Sequence, residues 1–392
     1  MVLSPLGALL LDELNINTSQ FSSVVSAYAF SAGASGLLAA GFADKFDRKK
    51  LLLFFYAGFI IGTVLCASAT SHSFLLFARI VTGIFGGVIS SIGFAIITDL
   101  FRLEVRGRVM GFVQMGFAAS QVLGIPIGLL LANHLGWHSP FWMIVGFSVI
   151  IAIVIAVYMK PITEHLKVKT DRNPFQHLYK TITAPRYLLP FAATALLTTG
   201  GFMLMPFGSA FSTRNLGLTM DQLPLLYGIT GVVSIITGPL IGKYSDKLGR
   251  YNVFLFGSVL SMITIAIYTN FGLTPFWLVC LVNVFLFTAI TSRIISSSAM
   301  MSGIPSMQDR GAFMSVNSSI QQIAGGIGAF IAGTIVVQTT PDSKLEHYDT
   351  LGYVTIGASI VSATLMYFVN KQVKPTPIAP IAPKPEGALS EV

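Results

Sequence analysis

Residues 242–250 read GKYSDKLGR, and the DKLGR portion at 246–250 has a counterpart, DKFDR, at 44–48, 202 positions earlier. A second pair, RGRVM at 106–110 and RGAFM at 310–314, recurs at an offset of 204. Each of the four segments lies beyond a long apolar stretch. Because self-similarity at a fixed offset indicates internal duplication, the sequence predicts two halves with the same architecture.

The composition is that of a membrane protein. Of 392 residues, 53% are hydrophobic and only 10% are charged, whereas a soluble domain carries about 25% charged residues. This excludes a soluble enzyme, a nucleic-acid-binding protein and a disordered scaffold. Cys66 and Cys280 lie singly in apolar runs, so the sequence predicts no disulfide framework, no metal site and no cofactor.

Eleven apolar stretches are long enough to cross a bilayer, which takes about 20 helical residues. They are 21–43, 51–70, 74–97, 109–132, 140–159, 187–209, 223–243, 252–270, 275–298, 312–337 and 350–370. Residues 1–11 precede them and rise about 16 Å as a helix, half a crossing. We interpret them as the outer half of a first span whose inner half is missing. The predicted fold is an all-α membrane protein of twelve spans in two six-helix bundles, with the first span truncated.

The distribution of Lys and Arg residues predicts how the chain is oriented in the membrane. Twenty of the 24 Lys and Arg residues fall in connections on one side of the predicted spans, and this side is cytoplasmic by the positive-inside rule. The net charge of +8 is therefore an orientation signal rather than a nucleic-acid footprint. We expect a multi-pass protein of the bacterial inner (plasma) membrane, with the basic loops and the C-terminus in the cytoplasm.

The longest internal connection divides the chain. We predict an N-terminal bundle at 1–159, a cytoplasmic linker at 160–186, a C-terminal bundle at 187–370 and a disordered Pro-rich tail at 371–392. Two parallel six-helix repeats that hold a substrate between them are a transporter architecture.

These motifs resemble those of the major facilitator superfamily, and the resemblance covers nearly the whole chain. The family signature G-x-x-x-D-[RK]-x-G-[RK]-[RK] fits residues 242–250 well, whereas Ala40 and Asp47 replace its glycines in the first copy. More narrowly, Arg79-x-x-x-Gly83 and Gly124-Ile125-Pro126-Ile127-Gly128 resemble motifs of bacterial drug and sugar efflux permeases. The resemblance implies secondary active transport by alternating access, and the second motif implies antiport.

Charged residues at the cytoplasmic boundary are candidates for an inner gate. A carboxylate there can accept hydrogen bonds from a helix N-terminus and pair with Arg or Lys, and the repetition favours such a clamp over a solvated turn. The predicted gating or charge-relay residues are Asp44, Arg48, Asp246, Lys247, Arg250, Arg106 and Arg310. For Arg106 and Arg310 a plain topological role is an equal alternative.

Polar residues inside the spans are candidates for coupling or for lining the substrate cavity. Arg79 and Arg293 each cost roughly 2.5–3.5 kcal/mol to insert, and they either face the interior or snorkel to the headgroups. Gln114 and Gln121 lie on one helical face, and Asn317 and Gln321 on another. Such amides line a cavity or join helices.

Small residues and one proline predict close packing and bending. Gly83, Gly124, Pro126 and Gly128 would let helices approach or bend during exchange. No Asp or Glu lies within a complete predicted span. A coupling acid therefore lies in the missing part of span one, or transport is not coupled to protons.

The predicted function is export of a small organic solute, anionic or neutral rather than cationic, with exchange for protons as the implied drive. Uptake or facilitated diffusion on the same fold, and a transport-dead fragment, are the alternatives. An enzyme would need an embedded catalytic set of His, Asp, Cys or a Ser dyad, and we find no such set in the predicted spans, whose two cysteines are isolated. The expected partners are the substrate, protons and the lipid bilayer, with the protein acting as a monomer that binds no nucleic acid.

Overall fold

The computed structural model describes residues 3–102, 120–167, 174–305, 309–340 and 343–373, together with residues 109, 113 and 116. Across these residues the regular structure is helical, and the one β-bridge joins Val337 to Glu346. The helices are α1 (Gly7–Glu13), α2 (Thr18–Phe42), α3 (Arg48–Ala67), α4 (His72–Leu100), α5 (Ile125–Leu135), α6 (Ser139–Tyr158), α7 (Glu164–Lys167), α8 (Pro174–Thr183), α9 (Pro185–Met203), α10 (Gly208–Arg214), α11 (Gln222–Leu248), α12 (Arg250–Thr269), α13 (Phe276–Met301), α14 (Arg310–Ile335) and α15 (Tyr348–Gln372). A 3-10 turn at Ala43–Lys45 and a π-helical turn at Ser120–Gly124 complete them.

Among the described residues, nine helical segments are long and apolar enough to cross a membrane. They are α2, α3, α4, α6, α9 with α10, α11, α12, α13 and α15. Helix α14 has 26 residues but carries Asn317, Gln321 and Gln322 among other polar residues, which lower its hydropathy. The prediction of an all-α membrane protein is confirmed, and the predicted 109–132 span is described only in part.

The predicted span at 187–209 lies within one membrane-crossing segment, Pro185–Arg214, which consists of two helices. Helix α9 ends at Met203, and α10 begins at Gly208. Pro206 stands in the gap. Proline has no N–H to donate and disfavours helical geometry in the residue before it, so the helix breaks here.

Several contacts join helices of the first and second halves of the chain, including those of α1 with α10 and of α4 with α14. The two most extensive of these contacts are those of helix α2 with α14 and of α5 with α11. At one end of the α2–α14 contact, the Thr18 hydroxyl donates to the Val336 carbonyl at 2.7 Å. Near the other end, a Cβ on Gly36 would lie 3.3 Å from Ser319 Oγ. Small residues thus let the α2 and α14 backbones approach closely.

The two ends of the helix bundle differ in how the halves meet. We call the end that holds the 43–47 turn and Gly249 the basic end, and the end that holds the 14–17 and 215–221 connections the far end. At the far end, one hydrophobic cluster includes Leu6, Leu10 and Phe21 of the first half together with Phe207 and Phe211 of the second. The halves therefore share a single core at this end.

At the basic end the described residues form two separate clusters. One belongs to the first half and includes Leu51, Phe55 and Ile92. The other belongs to the second half and is centred on Phe254 and Phe313, with Leu37 of α2 packed against its edge. These clusters do not test the predicted domain boundaries at 159/160 and 186/187, which remain a prediction.

Candidate functional site

The turn after α2 forms hydrogen bonds with neighbouring segments at the basic end. The Asp47 carboxylate accepts hydrogen bonds from the Lys49 N–H at 2.9 Å and the Ile162 N–H at 3.1 Å. The Arg48 N–H donates to the Ile162 carbonyl at 3.3 Å. Asp47, which departs from the family signature, therefore caps α3 and holds the start of the linker.

Arg48 forms the ion pair of this turn. Its side chain is 4% exposed, and its Nε donates to Asp99 Oδ2 at 2.9 Å. Its Nη1 donates to the Ala43 carbonyl at 2.7 Å. The predicted gate residue Arg48 thus ties the ends of α2 and α4 to the start of α3.

The second copy of the basic motif, residues 246–250, differs from the first in its backbone conformation and in its side-chain partners. Gly249 has φ +95°, a conformation that side chains rarely adopt, whereas its counterpart Asp47 has φ −56°. Arg250 Nη1 donates to the Ala299 carbonyl at 2.8 Å. Asp246 and Lys247 are exposed, and neither has an ion-pair partner among the residues that the structure describes. A carboxylate equivalent to Asp99 is missing because residues 299–303 contain no acid.

For five predicted site residues the structure describes no side-chain contacts. Arg106 and Gln114 lie outside the described residues, as do the side chains of Asp44, Gln121 and Arg310. Their gating and cavity roles stay predictions.

Arg79 lies inside the first half rather than at its surface. Its guanidinium carbon stands 4.3 Å from the centroid of the Tyr28 ring on α2, and the residue is 9% exposed. Its Nε is buried and has no hydrogen-bond partner among the described residues. The alternative that Arg79 snorkels to the headgroups does not fit this geometry, and a cation–π contact partly offsets the burial of its charge.

Arg293 is also buried, but against a different part of the bundle. Its Nη1 donates to Ser261 Oγ on α12 at 3.2 Å. Snorkelling from the inner end of the span does not fit this position either. The two predicted arginines lie in different halves, each turned toward its own bundle.

The two predicted amides that the structure describes are placed differently. Asn317 is buried, and its Oδ1 accepts a hydrogen bond from the Thr194 hydroxyl at 2.8 Å. It therefore joins α14 to α9, which is the helix-joining alternative of the sequence analysis. Gln321 is exposed.

The predicted small residues divide into tight and open positions. A Cβ on Gly83 would collide with Ser31 Oγ and lie 2.6 Å from the Tyr28 carbonyl oxygen, so this glycine permits the α2–α4 contact. Gly128 is buried in α5, whereas the nearest atom to a Cβ on Gly124 is 3.9 Å away. The π-helical turn ends directly before Ile125 and Pro126, as expected where a proline interrupts the hydrogen-bond ladder.

Besides the Arg48–Asp99 pair, the sequence analysis missed two further ion pairs. Arg214 on α10 pairs with Asp12 in α1 at the far end. Arg186 pairs with Asp309 at 2.6 Å, and the Tyr187 hydroxyl also donates to Asp309 at 3.0 Å. The Asp12–Arg214 pair had a usable signal, because its members are 202 residues apart and thus occupy equivalent positions of the repeat.

A groove of about 610 Å³ lies between α5 and α11. Its walls are mostly apolar, and several of its side chains, such as Leu130 and Leu225, are about half exposed. It includes Pro126 but none of the predicted arginines or amides that the structure describes. The groove therefore reaches the predicted bending residue Pro126 but not the buried arginines.

The chain is similar to known membrane transporters. The model of the Major Facilitator Superfamily matches residues 1–207 and 190–390. The chain is 29% identical over 375 residues to the uncharacterized MFS-type transporter YceJ of Bacillus subtilis, covering 94% of this chain and 92% of the relative. It is 33% identical over 152 residues to Multidrug resistance protein 3 of the same organism, covering 39% of this chain and 30% of that protein.

Solved structures agree with the fold. The crystal structure of the nucleoside transporter NupG superimposes with a TM-score of 0.71 at 15% identity and covers 94% of each chain. At that identity the likeness concerns the fold alone. The duplicated basic motif, the helical membrane architecture and the family match over both halves agree with one another, and the chain therefore belongs to the Major Facilitator Superfamily of membrane transporters.

Proposed function

We propose that the protein is a secondary active transporter that exports a small organic solute by alternating access in exchange for protons. One observation carries this proposal. Among the residues that the structure describes, the two halves share one hydrophobic core at the far end, whereas the buried residues at the basic end form one cluster in each half, with Leu37 of α2 at the edge of the second-half cluster. Alternating access requires halves that join at one end while the other end is able to separate.

The orientation follows from the cations. The basic end carries most Lys and Arg residues, so we assign it to the cytoplasm of the bacterial inner membrane. The far end is then the outer side. On this assignment the arrangement is closed to the outside by the shared core and by the Asp12–Arg214 ion pair.

We assign residues 1–159 and 187–370 to the two rocking bundles, and 160–186 to a cytoplasmic linker. Contacts at both ends of this linker support the assignment: Ile162 bonds to the Asp47–Arg48 turn of the first half, and Arg186 pairs with Asp309 of the second half. The bundles would move relative to each other while the linker stays attached to both. The transporter is proposed to act as a monomer and without catalytic chemistry.

Arg79 is the proposed coupling residue. It is a buried cation that packs on Tyr28, and it has no carboxylate partner among the described residues. A buried cation without an acid favours an anionic or neutral solute over a cationic one. The name of the multidrug resistance relative supports export.

Transport into vesicles of known orientation tests the proposal. We expect proteoliposomes with the basic end outward to accumulate anionic or neutral solutes when their lumen is acidic, and to lose this accumulation when a protonophore removes the gradient. Accumulation with the gradient reversed would indicate uptake by symport. Equilibration without dependence on the gradient would indicate facilitated diffusion, and exclusive movement of cationic drugs would contradict the solute class.

A further inference from the structure

Arg293 is a buried cation with most of its hydrogen-bonding capacity unused. It lies in α13 and is 4% exposed. Its Nη1 donates to Ser261 Oγ, whereas Nε and Nη2 are buried without an acceptor among the residues that the structure describes. None of the ion pairs between described residues involves it. A buried guanidinium requires both a counter-charge and acceptors to offset the loss of its hydration.

Four fully buried serines occupy the neighbouring helices α12 and α15: Ser258, Ser261, Ser359 and Ser362. The hydroxyls of the two serines on α12 donate to carbonyls of their own helix, at 2.8 Å and 2.9 Å. The hydroxyls of Ser359 and Ser362 have no hydrogen-bond partner among the described residues. Two hydroxyl donors therefore remain unused on α15.

The packing brings these unused donors to one region of the second half. Helix α12 packs against both α13 and α15, and α13 also contacts α15. Gly352 packs against Thr269, and the Tyr251 hydroxyl donates to the Ala363 carbonyl at 3.4 Å. These two contacts set an antiparallel register of α12 and α15.

This register puts Ser359 at the height of the α12 serines. Ser359 follows Gly352 by two helical turns, so both residues lie on the face of α15 that is turned to α12. Ser362 follows one turn later on the same buried side. Arg293 reaches Ser261 from α13, and the register places Ser359 and Ser362 on the side of α15 that packs against this part of α12.

We infer that a cluster of four residues binds a small monovalent anion, with chloride as the occupant. This Arg293 cluster consists of Arg293, Ser261, Ser359 and Ser362. One guanidinium supplies one positive charge, which a single halide balances. Guanidinium and hydroxyl hydrogens are donors, which an anion needs. Helices α12 and α13 pack closely one turn from Ser261, since a Cβ on Gly257 would lie 2.8 Å from the Ser292 Cβ and 3.3 Å from the Arg293 backbone nitrogen. This close packing favours a small anion over a bulky oxyanion.

This site is distinct from the proposed transport machinery. It lies within the packing of α12, α13 and α15, whereas the most extensive contacts between the chain halves involve α2, α14, α5 and α11. The inference does not rest on the proposed function, because chloride binding is measured without any transport. Its role would be to stabilise the second half.

Thermal unfolding of the purified full-length protein in detergent tests the inference. Chloride replaces gluconate at constant ionic strength, so that screening of surface charges stays the same. We expect the unfolding midpoint to rise with chloride and to saturate, since an anion that binds only the folded protein stabilises it. Bromide should substitute for chloride, whereas sulfate should not. A midpoint that responds equally to chloride and gluconate would overturn the inference.

Substitutions in the Arg293 cluster test whether chloride binds there. Arg293→Met should abolish the chloride-dependent rise, and Ser359→Ala combined with Ser362→Ala should weaken half-saturation by about tenfold. The matched controls are Arg79→Met, the other buried arginine, and Ser297→Ala, whose hydroxyl donates to the Ile294 carbonyl at 3.1 Å. Both controls should keep the rise. If Arg293→Met does not fold, the serine double variant decides, and an unchanged chloride response there rejects the site.

Discussion

Asp12 and Arg214 form an ion pair between the two halves of the chain, and the 202 residues that separate them equal the offset of the repeated DKFDR and DKLGR segments. Equivalent positions of the two repeats therefore carry opposite charges and meet at the far end. The Arg214 side chain is 9% exposed and that of Asp12 is 45% exposed. Such a pair can hold the halves together only while the far end is closed.

Loss of this pair should favour opening of the far end. We expect Arg214→Gln to raise the rate at which a cysteine at buried Leu6 reacts with a membrane-impermeant maleimide, in a background without Cys66 and Cys280. A partly exposed pair contributes about 1 kcal/mol at most, so the expected increase is up to about fivefold.

Two controls accompany this experiment. Lys344→Gln removes an exposed cation of the same end and should leave the labelling rate unchanged. Exchanging the two charges, as Asp12→Arg with Arg214→Asp, should restore the slow rate. Fast labelling in the exchanged variant would show that the pair does not hold the far end closed.

Arg79 should be required for transport but not for insertion. We expect Arg79→Ala to abolish gradient-driven transport, because the buried cation is proposed to couple solute and proton. Tyr28→Phe keeps an aromatic face below the guanidinium and should retain most activity. Tyr28→Leu removes a contact worth about 0.5–2 kcal/mol and should reduce activity. Membrane yield and elution volume serve as the control, and unchanged transport by Arg79→Ala would remove Arg79 from the mechanism.

The two copies of the basic motif should differ in their contribution to stability. Asp99→Asn weakens a hydrogen-bonded pair with the buried Arg48, and we expect a loss of about 1–3 kcal/mol in the free energy of unfolding. Asp246→Asn changes an exposed side chain and should stay within about 0.5 kcal/mol. The midpoints of SDS-induced unfolding compare the two variants. Equal losses would mean that Asp246 has a partner in the folded protein.

Gly83 and Gly124 should respond differently to the same substitution. Gly83→Ala places a methyl group against Ser31 Oγ and the Tyr28 carbonyl oxygen, and overpacking of this kind costs about 1–3 kcal/mol. Gly124→Ala meets no atom closer than 3.9 Å and should be tolerated. Thermal unfolding of the two purified variants provides the measurement, and a tolerated Gly83→Ala would show that α2 and α4 separate readily.

Several features of the candidate site could be predicted from the sequence, and others could not. The repeated segments located the turns at Arg48 and Arg250, because polar breaks between apolar runs mark the ends of spans. The partner of each arginine could not be predicted. Asp99 and the Ala299 carbonyl lie about fifty residues away along the chain, and only helix packing brings them into contact. The burial of Arg79 against Tyr28 had the same origin.

The sequence by itself determined that the chain is helical, lies in a membrane and is duplicated, because these properties follow from local hydropathy, from the spacing of charges and from self-similarity. The tertiary structure decided which end joins the halves, which arginines are buried and which charges pair. These outcomes depend on helix rotation and on contacts between distant segments. A small rotation of a helix about its axis decides whether an arginine side chain faces the lipid headgroups or an aromatic ring. Local sequence patterns do not specify that rotation.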